Sequence, residues 1–179
     1  MTELRDCAAA LGEAPGGRGE LDVRLDDLLR QLGALDAGVR DRGAGAEVVD
    51  SVDAYVLARL EEEVAANGFP RRTRISHEAS GALLAVIWHN ARRSPDLWTR
   101  WVRRLGAALH TGDARPREYA EMVDAYAVRY AHRLQTYNTL PGARRDADAA
   151  AVTERRLSIG LLPEGWGAEE VAEHCGCGG

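Results

Sequence analysis

From Leu21 to Ile159 the apolar residues of this chain return every three or four positions and nowhere alternate. That period puts them on one side of successive helices and leaves no pattern for a sheet. Leu21, Leu25, Leu28, Leu29, Leu32 and Leu35 form one stripe, and Val49, Val52, Val56, Leu60 and Val64 a second. Arg42-Gly43-Ala44-Gly45 separates the two, and Asn67-Gly68 with Pro70 ends the second, glycine as the cap and proline as the stop. A third helix is predicted from about Ser76 to Arg93. Its middle, Ala79 to Trp88, is apolar nearly all round, which puts it at the centre. Ser94-Pro95-Asp96 starts a fourth, with Leu97, Trp98, Trp101, Val102, Leu105, Ala108 and Leu109 inward and Arg100, Arg103 and Arg104 outward, ending at Gly112. Asp113 to Pro116 opens a fifth, with the stripe Tyr119, Met122, Val123, Tyr126, Tyr130 and Leu134. A loop from Tyr137 to Gly142 precedes a last helix from about Asp146 to Ile159. The expected fold is all-α, a compact bundle of five or six helices. It forms a single domain over 20–163, after a glycine-rich linker in 1–19 and before a C-terminal segment, 164–179.

Composition removes several functions. The formal net charge is -5, which argues against a nucleic-acid partner, since displacing phosphate counterions needs clustered positive charge. All 23 basic residues are arginine. Without lysine there is no Schiff base and no P-loop ammonium on a triphosphate, so kinase and pyridoxal-phosphate chemistry are excluded. The longest apolar run, Ala79 to Trp88, is about half a membrane span. The opening Met1-Thr2-Glu3-Leu4-Arg5-Asp6 has neither the basic start nor the apolar stretch of a signal peptide. The expectation is a cytoplasmic protein with no membrane partner, whose Cys7, Cys175 and Cys177 are reduced.

Four segments carry a resemblance. Asn67-Gly68-Phe69-Pro70 makes a proline corner after a helix. Trp88-His89-Asn90-Ala91 ends an apolar helix. Gln135-Thr136-Tyr137-Asn138-Thr139-Leu140 follows the fifth helix, and Arg155-Arg156 precedes Gly160-Leu161-Leu162-Pro163. In order and spacing these resemble DUF6624, a family of small actinobacterial helical domains of unknown function, over residues 49–163. Trp88, Ala91, Asn138 and Leu140 stand where the family has glutamine, an acid, glycine and glutamine. The resemblance implies a helical fold and brings no activity with it.

Two constellations carry chemistry. In the first, His89 lies on one helical face with Ala82 and Ala85, small residues that leave room for either a close helix or a pocket. His89 as general base with Tyr137 and Asp124 would make a catalytic set, with Gln135 and Thr139 orienting a small polar ligand. The alternative is a buried histidine satisfied by one hydrogen bond, with Tyr137 capping the bundle. No carboxylate is fixed beside His89 by the sequence. The second constellation is His174-Cys175-Gly176-Cys177-Gly178-Gly179. His174, Cys175 and Cys177 are soft ligands suited to Zn(II) or Cu(I). Cys175, Cys177 or the Gly179 carboxylate are equally candidates for modification by pathway enzymes, and a frayed end with incidental cysteines remains the plain alternative. Between these lies a basic loop, Arg71, Arg72 and Arg74, read either as solvated surface or as a holder of phosphate or carboxylate.

The function expected from these residues is a non-catalytic accessory or carrier protein of a specialised bacterial pathway, with the tail modified or bearing a metal or sulfur ligand. The alternative is a small enzyme or ligand-binding protein using a pocket around His89 and Tyr137.

Overall fold

The computed structural model of the chain describes residues 20–166, and these fall into two compact units, 20–108 and 109–166. The first holds α1 (Val23–Asp41), α2 (Ala46–Asn67), a single 3-10 turn (Arg72–Arg74), α3 (His77–Ala91) and nearly all of α4 (Pro95–His110). The second holds α5 (Pro116–Arg129) and α6 (Ala149–Ser158), joined by an ordered loop. Among the described residues the structure is all-α, without a strand.

The helices begin where short polar side chains meet their first amides. Asp22 accepts from the Leu25 N–H (3.1 Å), Ser76 from Ala79 (3.1 Å), Ser94 from Leu97 (3.1 Å) and Asp148 from Ala151 (3.0 Å). Each such cap is worth about 1 kcal/mol. The last helix starts three residues later than the sequence suggested because Asp148, rather than Asp146, is its cap. At the end of α2, Gly68 takes a φ of 81°, a left-handed turn that a side chain would strain, and its N–H closes on the Val64 carbonyl (3.0 Å).

Within the first unit α1 packs along both α2 and α3, and α2 also touches α3. Side-chain pairs fix the directions. Asp26 meets Ser76 and Asp36 meets His89, so α1 and α3 run parallel. Arg24 meets Glu63 and Arg40 meets Asp53, so α2 runs against them. The core is Leu25, Leu29, Leu32 and Val39 of α1, Val56 and Leu60 of α2, Leu83, Val86 and Ile87 of α3, and Trp98, Trp101 and Leu105 of α4. Trp88 of α3 meets Trp98 of α4 edge to face, with ring centroids 5.4 Å apart.

The expected stripes need correction at their edges. Leu21 precedes α1 and is exposed, and Leu35 is exposed as well. Leu35 lies about 80° round the helix from Leu25, off the buried face, which Asp36 continues instead. In α5 the buried face is Ala120, Met122, Asp124, Ala125 and Ala127, while the larger Tyr119, Val123 and Tyr126 are half-buried. Leu134 lies beyond the end of that helix and is exposed.

Ala82, one of the two small residues on the His89 face, sits at a close helix crossing. A Cβ on Gly33 of α1 would sit inside the van der Waals envelope of the Ala82 methyl and 3.1 Å from its Cα. Gly33→Ala therefore gains helix propensity but forces α1 off α3, and overpacking outweighs propensity. The variant is expected to lose about 1–2 kcal/mol in urea unfolding. A neutral or more stable variant would show that the two helices do not touch there.

Candidate functional site

In the second unit, the segment from Gln135 to Leu140 is built around one carboxylate. Asp124 is fully buried on α5. Its Oδ1 accepts the backbone N–H groups of Thr136 (2.6 Å) and Tyr137 (2.8 Å), and its Oδ2 accepts the Thr139 N–H (2.8 Å) and hydroxyl (2.7 Å). Gln135, also buried, closes the same loop from within. Its Oε1 accepts the Leu140 N–H (2.7 Å), and its amide donates to the Leu140 carbonyl (2.9 Å). Asn138 takes a positive φ of 56° and exchanges two hydrogen bonds with the backbone of Asp146, both 2.9 Å.

From α6, Arg155 donates to the Thr136 carbonyl (2.9 Å) and pairs with Asp146 (2.6 Å). Arg156 donates to the carbonyls of Tyr137 (2.8 Å) and Leu162 (2.6 Å). Two guanidinium forks thus grip both ends of the fold that follows α5. The Tyr137 ring lies buried with Ala120 and Leu161, against Tyr119 at 6.3 Å between centroids.

These bonds assign the candidate residues different work from the roles read in the sequence. Asp124, Gln135 and Thr139 do come together, but every strong acceptor of Asp124 already holds a donor. An acid so engaged shapes a loop and is not poised to take a substrate proton. The Tyr137 phenol stays neutral near neutrality. Burial foremost, then the neighbouring Tyr119 and the Asp124 charge, push its phenol from 10.0 up to about 12.

His89 belongs to the first unit, and its own partner is a residue the sequence reading passed over. Its Nδ1 lies 2.6 Å from Oδ2 of Asp36, a carboxylate only 1% exposed on α1. The other oxygen of Asp36 accepts from Arg40 (2.8 Å), whose second nitrogen reaches buried Asp53 on α2 (2.7 Å). The result is a row, Asp53–Arg40–Asp36–His89, joining three helices. With Nδ1 directed at Asp36, the basic position is Nε2, which has no hydrogen-bond partner among the described residues, and the side chain is 27% exposed. A signal for Asp36 was present in the sequence: it continues the buried series Leu25, Leu29, Leu32 at helical spacing. A charged residue at such a position marks a satisfied buried ion.

His174, Cys175, Cys177 and Gly179 lie outside the described residues. Among the described residues no three His, Cys, Asp or Glu side chains come together to hold a metal ion. No described helix is long and apolar enough to cross a membrane. Compared with known proteins, the chain matches no family model, no curated protein and no solved structure. The likeness to DUF6624 therefore rests on the four segments themselves.

Two outcomes follow for this loop. Asp124→Asn turns an amide N–H2 toward donors that need an acceptor, and is expected to cost about 3 kcal/mol in urea unfolding; a change near zero would remove the carboxylate from its organising role. For Tyr137 the folded state favours the neutral phenol. Its contribution to stability is complete below pH 10 and is lost as pH rises toward about 12. Unfolding measured across that window should show a steeper alkaline decline for the parent than for Tyr137→Phe, and parallel curves would contradict the assignment.

Proposed function

We propose that this chain is a non-catalytic accessory or carrier protein of a specialised bacterial pathway, a helical body that presents the segment His174-Cys175-Gly176-Cys177-Gly178-Gly179 to partner enzymes. The observation that carries the reading is the complete engagement of Asp124 and Gln135 by their own loop. The polar residues that a catalytic reading of the second unit needs are holding backbone. The chemistry left for function is then the pair of thiols and the imidazole near the end of the sequence, which suit covalent modification or a soft metal such as Zn(II) or Cu(I). Two thiols and one imidazole leave one tetrahedral position open, so a zinc ion there would take its fourth ligand from a partner or a second chain.

A second reading is favoured by one specific pair. His89, oriented by buried Asp36 and open at Nε2, has the geometry of a general base. On this reading the chain is a small enzyme or ligand-binding protein that works from the first unit.

One experiment separates them. Deleting residues 174–179 is expected to abolish the phenotype of the native host while leaving thermal unfolding of the purified protein unchanged, and His89→Ala to leave the phenotype intact. Intact-mass measurement of host-purified protein should show a gain that maps to Cys175 or Cys177. A silent deletion with loss of function in His89→Ala would replace the carrier reading with the second one.

A further inference from the structure

The first unit contains a cleft that neither reading uses. It has a volume of about 190 Å³ and lies between the start of α1, the end of α2 and the loop that follows. Leu25, Phe69 and Pro70 supply the smaller, apolar part of its lining; the larger, polar part carries Arg24, Arg71 and Arg74 together with Asp22 and Glu63 along its rim. The walls are pinned. The Asp22 N–H donates to the Arg74 carbonyl (2.9 Å), and the Ser76 N–H donates to Asp26 (2.6 Å). Burial alone would raise the Asp26 carboxyl, but the Ser76 bonds and Arg30 together hold it below its usual range.

The charges on the rim do not cancel. Glu63 is held by both nitrogens of Arg24 (2.6 and 3.1 Å) and by the Asn67 amide (2.7 Å), so its charge is answered in place. Asp22 caps α1 with one oxygen, and the other faces Arg74 at 3.7 Å. Arg71 has no ion pair and no side-chain hydrogen bond among the described residues. The cleft therefore presents one uncompensated guanidinium, with a second held only loosely, beside the apolar side chains of Leu25, Phe69 and Pro70. Its volume equals roughly six water molecules, below the range of drug-sized pockets. A lone guanidinium fork matches a carboxylate in bidentate fashion, while a doubly charged phosphate would meet the carboxylates of Asp22 and Glu63 on the same rim.

We infer that this cleft binds a single carboxylate carried on a small apolar body, with Arg71 clamping the anion and Phe69 and Leu25 receiving the body. A free small organic acid and the C-terminus of a peptide share that chemistry. None of the residues named for this site is His89 or belongs to segment 174–179.

The test titrates the full-length, isotopically labelled chain with benzoate and, in parallel, with neutral benzamide, followed by amide NMR. Benzoate is expected to shift Phe69, Arg71 and Arg74 saturably at millimolar or lower concentration, and benzamide is not. Arg71→Gln, a change on an exposed side chain, should weaken benzoate by about tenfold or more with the remaining spectrum unchanged. Phe69→Ala should weaken it while keeping the charge. N-acetyl-glycyl-phenylalanine binding more tightly than benzoate would identify a peptide terminus as the source, and weaker binding a free acid. Equal binding of benzoate and benzamide, undiminished binding to Arg71→Gln, or no saturable shift at these residues would each overturn the inference.

Discussion

Buried carboxylates set the geometry of this protein. Asp26, Asp36, Asp53 and Glu63 in the first unit and Asp124 in the second are all withdrawn from water. A buried charge costs several kcal/mol unless donors surround it, so each acid dictates where its donors must lie. Asp26 draws the Ser76 amide onto α1, Asp36 and Asp53 share Arg40, Glu63 holds Arg24 and Asn67, and Asp124 collects four donors from one loop. The basic side chains among these partners are guanidinium groups and the imidazole of His89. A planar fork can bridge two acids on different helices, as Arg40 does, in a way that a compact ammonium does not.

The apolar part of this arrangement was legible in the sequence. Helical periodicity placed Leu29, Val56, Leu60, Val86 and Trp101, and the capping residues Ser76 and Ser94 marked two helix starts. What was not legible was the partnering of ions. Asp36 and His89 are 53 positions apart, and Asp26 and Ser76 are 50 apart. No local pattern relates them, because such pairs are decided by how helices cross. The loop from Gln135 to Leu140 was legible as a unit, but the partners of its polar groups were not. Its conjunction of amide, hydroxyl and phenol looks like a binding site, yet Gln135, Thr139 and the backbone of Tyr137 face Asp124 or each other. The same residue types satisfy a buried acid as would satisfy a ligand, and only the bond directions tell the two apart.

This distinction shapes the functional reading. Polar side chains saturated by their own backbone are structural, however suggestive their composition. Among the groups at the two candidate sites, Nε2 of His89 and the guanidinium of Arg71 are left with unused capacity. Both lie in the first unit, on different parts of its surface. The second unit, organised about Asp124, is built to hold a shape. On the proposed carrier reading, partners would recognise such a surface while acting on a separate short stretch of chain.

Amide hydrogen exchange tests the central claim, that buried acids bind backbone and hold the fold, most directly. The N–H groups of Ser76, Thr136, Tyr137 and Thr139 all lie outside helices and donate to Asp26 or Asp124. They are expected to exchange as slowly as the core amides of α3 and α5, because opening them requires releasing a buried charge. Exchange at the rate of exposed loop amides would contradict the account, leaving Asp124 free for another role.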